Sequence, residues 1–456
     1  MALNSFVTRE GGEMGRAQAV QAAAAGRTPT VEMNPVLLKP EGNACSQVIL
    51  LGKPWKRLPA GEYYACRERL WSAVEDSFEK LAADSDLLII EGAGSPAEIN
   101  LKKHEIVNMR VAREFRCPVL LAGDIDRGGV FAALVGTMAL LDEEERSLVR
   151  GFLINKFRGD LNLLTPGLEM LSGLTEGRPV VGVVPWLKNL AVAQEDSVWL
   201  EEQGVGEAAS GVDIAVIKLP RITNYDDFDP LAIEEGVSLR FVERPEELGR
   251  PDAVILPGSK TVLKDLAWLR ASGFDALLAA HVMNGGCVAG VGAGLMMMGR
   301  TIADPLGLEG EPSDAPGLGL LSHDTVLESA GSGSVAGYTA GHGEGCGFLS
   351  GERFGIEGYM INPGRTTLAP GAHEFARLED GRVDGAVSAG GRVWGSSLHG
   401  LFEAGGFRSA WLRSLGWRGR ESSLSFAQMR ESAFDRLADE VEAGLNMPLL
   451  DRIIGL

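Results

Sequence analysis

Short apolar runs that alternate with amphipathic stretches are the feature that most constrains how this chain can fold. In the first half these runs lie at 87–90, 119–122, 152–154 and 180–184, each followed closely by turn or polar residues. The stretches between them, such as residues 62–83, have helical patterning. Short apolar strands separated by helices are typical of buried parallel strands. The pattern therefore predicts an α/β domain built on a parallel sheet.

A second α/β series follows a looser stretch at residues 195–213, which we take as a domain boundary. Its predicted strands lie at 214–219, 253–256, 288–291 and 393–396. A Gly-rich region at 330–347 is predicted to be a loop or irregular insertion. From residue 426 onward the pattern is that of an amphipathic helix, which we expect to pack against the second domain.

The composition excludes several classes of protein. The formal charge of −19 opposes nonspecific binding to nucleic acid or to an anionic membrane. The five cysteines have no CxxC spacing, which favours reduced thiols and no structural zinc site. No secretory leader and no long apolar span is visible, so we expect a cytoplasmic protein.

Polar, Gly-rich segments follow three of the predicted strands of the first domain. Glu91 follows the first strand, Asp124, Asp126 and Arg127 follow the second, and Asn155 with Lys156 follow the third. Taken singly, each segment is more simply explained as a helix cap or loop. The carboxyl ends of parallel strands meet at one edge of a sheet, where such folds bind ligands. Together they predict a shared cleft, with Glu91 as a Mg²⁺ ligand.

Several longer segments resemble, in order and spacing, the signature segments of the cobyric acid synthase family. They run through nearly the whole chain: MALNSFVTREGGEMGRAQAVQAAAAG, MNPVLLKP, EGAGSPAEINL, DIDRGGVFAALVGT, NKFRGD, PRITNYDDFDPL, PGSKTVLKDLAWLR and GSSLHGLFE. The resemblance implies a P-loop-NTPase-like domain related to dethiobiotin synthetase, followed by a class I glutamine-amidotransferase-like α/β domain. We therefore expect a synthetase-like domain at 1–205, an amidotransferase-like domain at 212–405 and a C-terminal helical extension at 406–456.

The resemblance also implies an activity in cobalamin biosynthesis, that of a carbon–nitrogen ligase. Family members use ATP and Mg²⁺ to amidate peripheral carboxylates of the corrinoid adenosylcobyrinic acid a,c-diamide, with nitrogen from glutamine. By position, Glu91 would bind magnesium, and Asn155 with Lys156 would bind the nucleotide beside Asp124, Asp126 and Arg127. Arg16, Asn34 and Lys39 would lie near the corrinoid or the phosphates, since they fall in the family's N-terminal segments.

The first departure from the family pattern concerns ATP. Members begin with a strand and a Gly-rich P-loop, whose amides and lysine hold the phosphates. No GxxxxGK[ST] segment occurs in this sequence, and Met1 matches a methionine internal to the family pattern. Two explanations stay open here: a mis-started gene model, or a short protein that has lost ATP binding.

The second departure concerns the glutaminase site. The family places a cysteine nucleophile in a tight strand-to-helix turn, and Gly292 of GVGAGLMMMG occupies that position here. Glycine suits the backbone of such a turn but supplies no sulfur. His399 matches the family's catalytic histidine, and Cys287 lies too far along the strand to replace the nucleophile. In the segment 358–367, Met360, Asn362 and Pro363 replace the family's usual residues.

Two functional hypotheses follow. The first is a corrinoid amidoligase, whole in its native gene, that uses free ammonia or inefficient glutamine hydrolysis, because the thiol is absent. The second is a noncatalytic or decayed relative that binds a corrinoid or a nucleotide. A partitioning ATPase on the related P-loop fold is disfavoured, because such proteins carry no amidotransferase-like half.

Overall fold

The computed structural model describes residues 4–42, 45–59, 66–187, 211–328, 337–343, 347–349, 354–361, 364–420 and 424–456. The chain forms two compact units. Unit 1 comprises Met1–Tyr63, Ala73–Lys80 and Ala193–Gln428, and unit 2 comprises Tyr64–Ser72, Leu81–Val192 and Met429–Leu456. The N-terminal segment therefore belongs to the same unit as the second α/β series, whereas the sequence had placed it in the synthetase-like domain.

A nine-stranded mixed sheet dominates unit 1. Its order is β11-β9-β12-β14-β23-β22-β21-β18-β19, with the first five strands parallel and the rest antiparallel. The strands are β9 (Val212–Ile217), β11 (Val237–Val242), β12 (Ala253–Leu256), β14 (Cys287–Val291), β18 (Gly337–Gly343), β19 (Phe354–Met360), β21 (His373–Leu378), β22 (Val383–Val387) and β23 (Val393–Ser396). The four predicted strands of the second series are confirmed as β9, β12, β14 and β23.

Smaller sheets complete unit 1. They contain β1 (Ser5–Val7) with β2 (Glu13–Gly15); β3 (Val36–Gly42), β4 (Cys45–Leu50) and β5 (Lys53–Pro59); β10 (Ile222–Thr223) with β13 (Gly258–Ser259); and β15 (Thr301–Asp304), β16 (Ser313–Pro316), β17 (His323–Leu327) and β20 (Gly364–Leu368). The helices are α1 (Arg16–Ala24), α7 (Asp229–Ala232), α8 (Val262–Ser272), α9 (Phe274–Met283), α10 (Ala293–Met298) and α11 (Gly405–Ser414).

The Gly-rich region predicted to be irregular contains a strand. β18 pairs antiparallel with both β19 and β21, so the prediction of a loop is wrong at 337–343. Strand pairing uses backbone N–H and C=O groups, which glycine supplies as well as any other residue. The remaining part of that region at 330–336, and most of the proposed linker at 195–213, lie outside the described residues.

Unit 2 contains a three-stranded parallel sheet in the order β6-β7-β8. Its strands are β6 (Val119–Asp124), β7 (Val149–Phe157) and β8 (Val180–Pro185), which confirm three of the predicted strands. Its helices are α3 (Met109–Glu114), α4 (Val130–Leu140), α5 (Glu143–Leu148), α6 (Leu161–Leu174), most of α12 (Phe426–Gly444) and α13 (Met447–Ile454); α2 (Arg67–Ala83) contributes residues to both units. None of the helices in the described ranges is both long and apolar enough to cross a membrane.

The predicted strand at residues 87–90 is not formed. These residues have neither helical nor strand structure, and Leu87, Ile89 and Ile90 are 49%, 85% and 42% exposed. A short apolar run becomes a buried strand only when a neighbouring strand accepts its backbone hydrogen bonds. Within the described residues, β6 pairs only with β7 and offers no such partner on its other edge.

The C-terminal helices pack with the first α/β series, not with the second as predicted. Leu445 forms a backbone bridge with Gly182 of β8, and the Asn446 N–H donates to the Val181 carbonyl at 2.8 Å. Amphipathic patterning identifies the apolar face of a helix but not the surface that covers it. The surface against which the C-terminal helices pack is determined by the tertiary fold.

Candidate active site

A strained turn at Gly292 joins β14 to α10. Gly292 has φ +58° and ψ −118°, a conformation that glycine adopts readily and other residues rarely. Its N–H donates to the Ser396 carbonyl on the neighbouring strand β23 at 2.9 Å. The turn therefore has the backbone of a nucleophile elbow, as the sequence predicts, without a nucleophilic side chain.

His399 follows β23 and faces this turn. A Cβ built on Gly292 would lie 2.8 Å from Nε2 and 2.9 Å from Cε1 of the His399 ring. The His399 side chain is 5% exposed, and its Nδ1 lies 2.6 Å from Oδ2 of Asp227. Because a carboxylate accepts, Nδ1 is assigned the proton, which leaves Nε2 of the neutral ring as an acceptor.

Asp227 and Tyr359 hold the imidazole in place. Oδ1 of Asp227 accepts the Gly400 N–H at 2.9 Å, so both carboxylate oxygens are bonded beside His399. The Tyr359 ring stacks on the imidazole with centroids 5.5 Å apart, and the two residues exchange backbone hydrogen bonds of 3.1 and 2.9 Å. The sequence analysis did not single out Asp227, although PRITNYDDFDPL had been recognised as a family segment.

Further carboxylates surround the pair. Asp226 is buried and its Oδ2 lies 2.5 Å from Nε of Arg16. Burial raises the pKa of Asp226, and burial together with the nearby Asp226 charge raises the pKa of Asp229 to about 8. Arg16 therefore supplies the cation that compensates an otherwise unfavourable cluster of negative charge.

A small, partly open cleft lies beside the elbow. Its lining includes Thr223, Ser259, Lys260, Glu309 and His399, together with Lys39 of β3. The Lys39 ammonium forms a buried ion pair with Glu13, and Lys260 Nζ donates to Gln47 Oε1 at 2.7 Å. Asn34 accepts the Gly15 N–H at 2.9 Å through Oδ1. The residues expected near the corrinoid or the phosphates thus lie within unit 1, and Lys39 reaches the cleft beside His399.

Cys287 is buried at the start of β14, within the strand that precedes the elbow. Burial raises the pKa of its thiol to about 12. A protonated, enclosed thiol is a poor nucleophile, which agrees with the packing role expected for it.

The polar residues at the ends of β6 and β7 come together in unit 2. Lys156 Nζ donates to Oδ2 of Asp124 at 3.0 Å, and the Asp126 N–H donates to Oδ1 of Asp124 at 3.0 Å. Arg127 reaches the same carboxylate at 3.7 Å. Burial raises the pKa of Asp124, but the hydrogen bonds from Lys156 and the Asp126 N–H outweigh it and leave that pKa below its ordinary value.

Asn155 and Lys156 occupy an unusual stretch of backbone. Asn155 is the register partner of Asp124 across the two strands, and its Oδ1 accepts the Lys156 N–H at 2.8 Å. Lys156 has φ +59°, which is uncommon for a residue with a Cβ. Nearby, the Arg158 guanidinium lies 3.6 Å from the centroid of the Trp186 ring. Neither of these residues was predicted from the sequence as part of the site.

Glu91 does not follow a strand, so it does not lie at a strand end with this cluster. It is exposed and lies in the stretch without helix or strand that follows residue 90. Across the described ranges, no group of three or more His, Cys, Asp or Glu side chains is arranged to hold a metal ion. The predicted placement of Glu91 directly after a buried strand is therefore wrong, for the reason given for residues 87–90.

Comparison with known proteins agrees with this architecture. Residues 213–407 match the family described as a CobB/CobQ-like glutamine amidotransferase domain, and residues 62–194 match the AAA domain family. A crystal structure titled glutamine amidotransferase covers 44% of this chain and 98% of its own length, at 20% identity and a TM-score of 0.33. The domain matches define an α/β protein with an AAA-type domain and a glutamine-amidotransferase-like domain.

Relatives that match nearly the whole chain identify a single protein family. A cobyric acid synthase from Sorangium cellulosum is 51% identical, covering 100% of this chain and 91% of that protein. Cobyric acid synthases from Moorella thermoacetica and Dehalococcoides mccartyi strain 195 are 46% and 45% identical, covering 100% and 98% of this chain and 90% and 89% of those proteins. This chain belongs to the cobyric acid synthase family.

Proposed function

We propose that this chain amidates peripheral carboxylates of adenosylcobyrinic acid a,c-diamide in the cytoplasm, with ATP as the activating substrate and ammonia as the nitrogen donor. The carboxylate attacks the γ-phosphorus of ATP and releases ADP. Ammonia then attacks the acyl phosphate, expels phosphate and loses a proton. Membership of the cobyric acid synthase family supports both the corrinoid substrate and this chemistry.

The observation that carries the choice of ammonia is the relation between Gly292 and His399. The elbow, the histidine and its Asp227 partner are all in place, but no atom capable of covalent attack projects from residue 292. Hydrolysis of glutamine by this class of site proceeds through a thioester, which requires a thiolate. Ammonia needs no such step, because it reacts directly with the activated carboxylate.

The strand-end cluster in unit 2 is the proposed nucleotide site. Lys156 would bind phosphate oxygens, Asn155 would bind the nucleotide, and Asp124, Asp126 and Arg127 would shape the same edge of the sheet. Glu91 would serve Mg²⁺ only if its exposed segment approached this edge. When bound, Mg²⁺ would neutralise phosphate charge and favour attack at phosphorus. We propose no nucleic acid and no membrane as partners.

A second candidate function is noncatalytic binding of a corrinoid or a nucleotide. The observations that favour it are the absence of a GxxxxGK[ST] segment from the sequence and the exposed position of Glu91 outside any strand. Binding of a corrinoid would need neither the phosphate cradle nor a thiol.

A mass-resolved amidation assay tests the proposal. The protein is incubated with adenosylcobyrinic acid a,c-diamide, ATP and Mg²⁺, with either ammonium chloride or glutamine. We expect mass changes of successive amidations with ammonium and none with glutamine. Absence of product with both donors, together with corrinoid binding detected by absorbance, would favour the noncatalytic function. A parallel arm uses a fusion carrying the P-loop segment of the Sorangium relative, so that weak ATP binding is distinguished from a wrong nitrogen donor.

A further inference from the structure

The first hairpin of the chain is built into the surroundings of the His399–Asp227 pair. β1 and β2 pair antiparallel, and α1 begins directly after them at Arg16. The Arg16 side chain is only 12% exposed and its Nε lies 2.5 Å from Oδ2 of Asp226, a contact with the geometry of an ion pair and not of a hydrogen bond. Asp226 precedes Asp227, whose carboxylate binds the imidazole.

A second set of contacts leads from the same hairpin to the other side of the histidine. Asn4 Oδ1 accepts the Asn224 N–H at 2.8 Å, and Asn224 Nδ2 donates to the Ser5 carbonyl at 2.6 Å and to the Tyr359 hydroxyl at 3.0 Å. The Phe6 ring lies 5.3 Å from the Tyr359 ring, centroid to centroid. Tyr359 in turn stacks on His399.

The two sets of contacts have a common consequence. Tyr359 is contacted by Phe6 directly and by Asn4 and Ser5 through Asn224, and Arg16 is paired with Asp226, the neighbour of Asp227. We propose that Arg16 is a positioning residue for the His399–Asp227 pair, and that the 4–16 hairpin is an integral part of this site. The proposal does not depend on the nitrogen donor or on activity, because it concerns the geometry of the pair.

The charges around Arg16 explain why this one side chain is expected to affect the geometry of the His399–Asp227 pair. Arg16 lies between buried Asp226 and Glu403, whose Oε1 is 3.7 Å from Nη2. Removing one partner of a buried ion pair leaves the other without compensation, whereas replacing both with apolar groups is often tolerated. Loss of Arg16 leaves Asp226 uncompensated beside Asp227. The short 225–228 segment would then relax away from the histidine.

The experiment observes the hydrogen bond from His399 Nδ1 to Asp227 directly. The protein is labelled with ¹⁵N-histidine, and the Nδ1–H signal is assigned by its loss in His399→Gln. Its exchange rate with water is compared with that of the Trp417 indole N–H, which donates to the Glu235 carbonyl at 2.8 Å in the same unit. A change in general stability alters the exchange rates of both N–H groups, whereas a change in positioning alters only the exchange rate of the His399 Nδ1–H.

Arg16→Met is expected to speed exchange of the His399 signal about tenfold or more relative to Trp417, because the pair opens locally. Arg16→Lys, which retains the charge, is expected to give a smaller increase. Arg16→Met/Asp226→Leu removes both charges, leaves no uncompensated carboxylate beside Asp227, and should reverse most of the increase. Lys80→Met, which removes the exposed ion pair with Glu32 in the same unit, should change nothing.

An unchanged His399 signal in folded Arg16→Met, or in Arg16→Lys if Arg16→Met does not fold, would overturn the proposal. An undiminished increase in the double variant would also overturn it, as would equal acceleration of the His399 and Trp417 signals in the single variant, since Arg16 would then contribute only to general stability.

Discussion

The imidazole of His399 lies against the place where a side chain on residue 292 would begin. A Cβ on Gly292 would come within 2.8 Å of Nε2, closer than such atoms normally approach. The ring is not free to retreat, because Asp227 bonds Nδ1 and Tyr359 stacks on one face. The space beside the His399 ring therefore suits glycine at position 292 and leaves little room for a side chain.

The nitrogen source is the first prediction. We expect glutamate release from glutamine at the background rate, because none of the described residues that line the cleft is a cysteine. Amidation with ammonium salts should rise with pH as more free NH₃ forms. Coupled glutamate detection and mass-resolved amidation check the two parts. Robust glutaminase activity that disappears in Cys287→Ala would show that the buried thiol, not residue 292, marks the nucleophile position.

Gly292→Cys is expected to restore glutamine hydrolysis only in part. The new side chain would occupy a positive-φ position, at a cost of about 1–3 kcal/mol in the free energy of unfolding, and would push against His399. Met360 follows Tyr359 on β19 and packs against the apolar core; Asn362 and Pro363 lie outside the described residues. Urea unfolding and glutamate release measure the two effects.

Gly292→Ala is the matched control for that variant, since it brings the same backbone strain without sulfur. It should lose similar stability and gain no glutaminase activity. Full activity in Gly292→Cys with no loss of stability would contradict the close contact between residue 292 and His399.

His323 is expected to make stability fall in acid. It is fully buried, and burial lowers its pKa to about 4, with Arg300 acting in the same direction and Asp324 opposing it. Because the folded-state pKa is lowered, the unfolded chain binds a proton between pH 6.5, the ordinary pKa of histidine, and about pH 4, whereas the folded chain does not. From pH 7 to pH 5 this removes about 2 kcal/mol from the free energy of unfolding.

The comparison that isolates this effect is between the wild type and His323→Leu. Asp229 acts in the opposite direction, because its raised pKa makes the folded state gain stability on acidification. That contribution is common to both proteins and cancels in the difference. Urea unfolding at pH 7 and pH 5 should show a smaller acid loss in His323→Leu. Equal losses would place the His323 ring in a more polar environment than its burial indicates.

ATP binding is expected to be weak in this chain, because the sequence has no P-loop amide cradle while Asn155 and Lys156 remain. Calorimetry with ATP and Mg²⁺ should find an affinity weaker than micromolar. Lys156→Met should abolish the residual binding, because it removes the cation beside Asp124. Arg113→Gln is the control, since Arg113 on α3 pairs with Glu144 on α5 and is not part of the proposed nucleotide site. Micromolar affinity in Lys156→Met would show that the nucleotide binds elsewhere.

Local features of this protein could be predicted from the sequence. The runs at 253–256 and 393–396 become β12 and β23 with the predicted bounds, because short apolar segments between turns have few alternatives in an α/β fold. The absence of a thiol at position 292 could also be read directly from the sequence, because residue 292 is glycine. His399 could be identified from the sequence because it lies within GSSLHGLFE, a contiguous segment that resembles the family pattern.

Features that depend on distant residues were decided only by the tertiary structure. Residues 87–90 have the apolar character of a strand but remain outside one, since a strand needs a partner for its backbone groups. Arg16 belongs by sequence to the synthetase-like segments, yet it compensates Asp226 more than two hundred positions away. Asp227 becomes the partner of His399 only because the turn after β10 and the loop after β23 meet. Local sequence sets the propensity of each element, whereas ion pairs, stacking and hydrogen bonds between distant elements are fixed by packing of the whole unit.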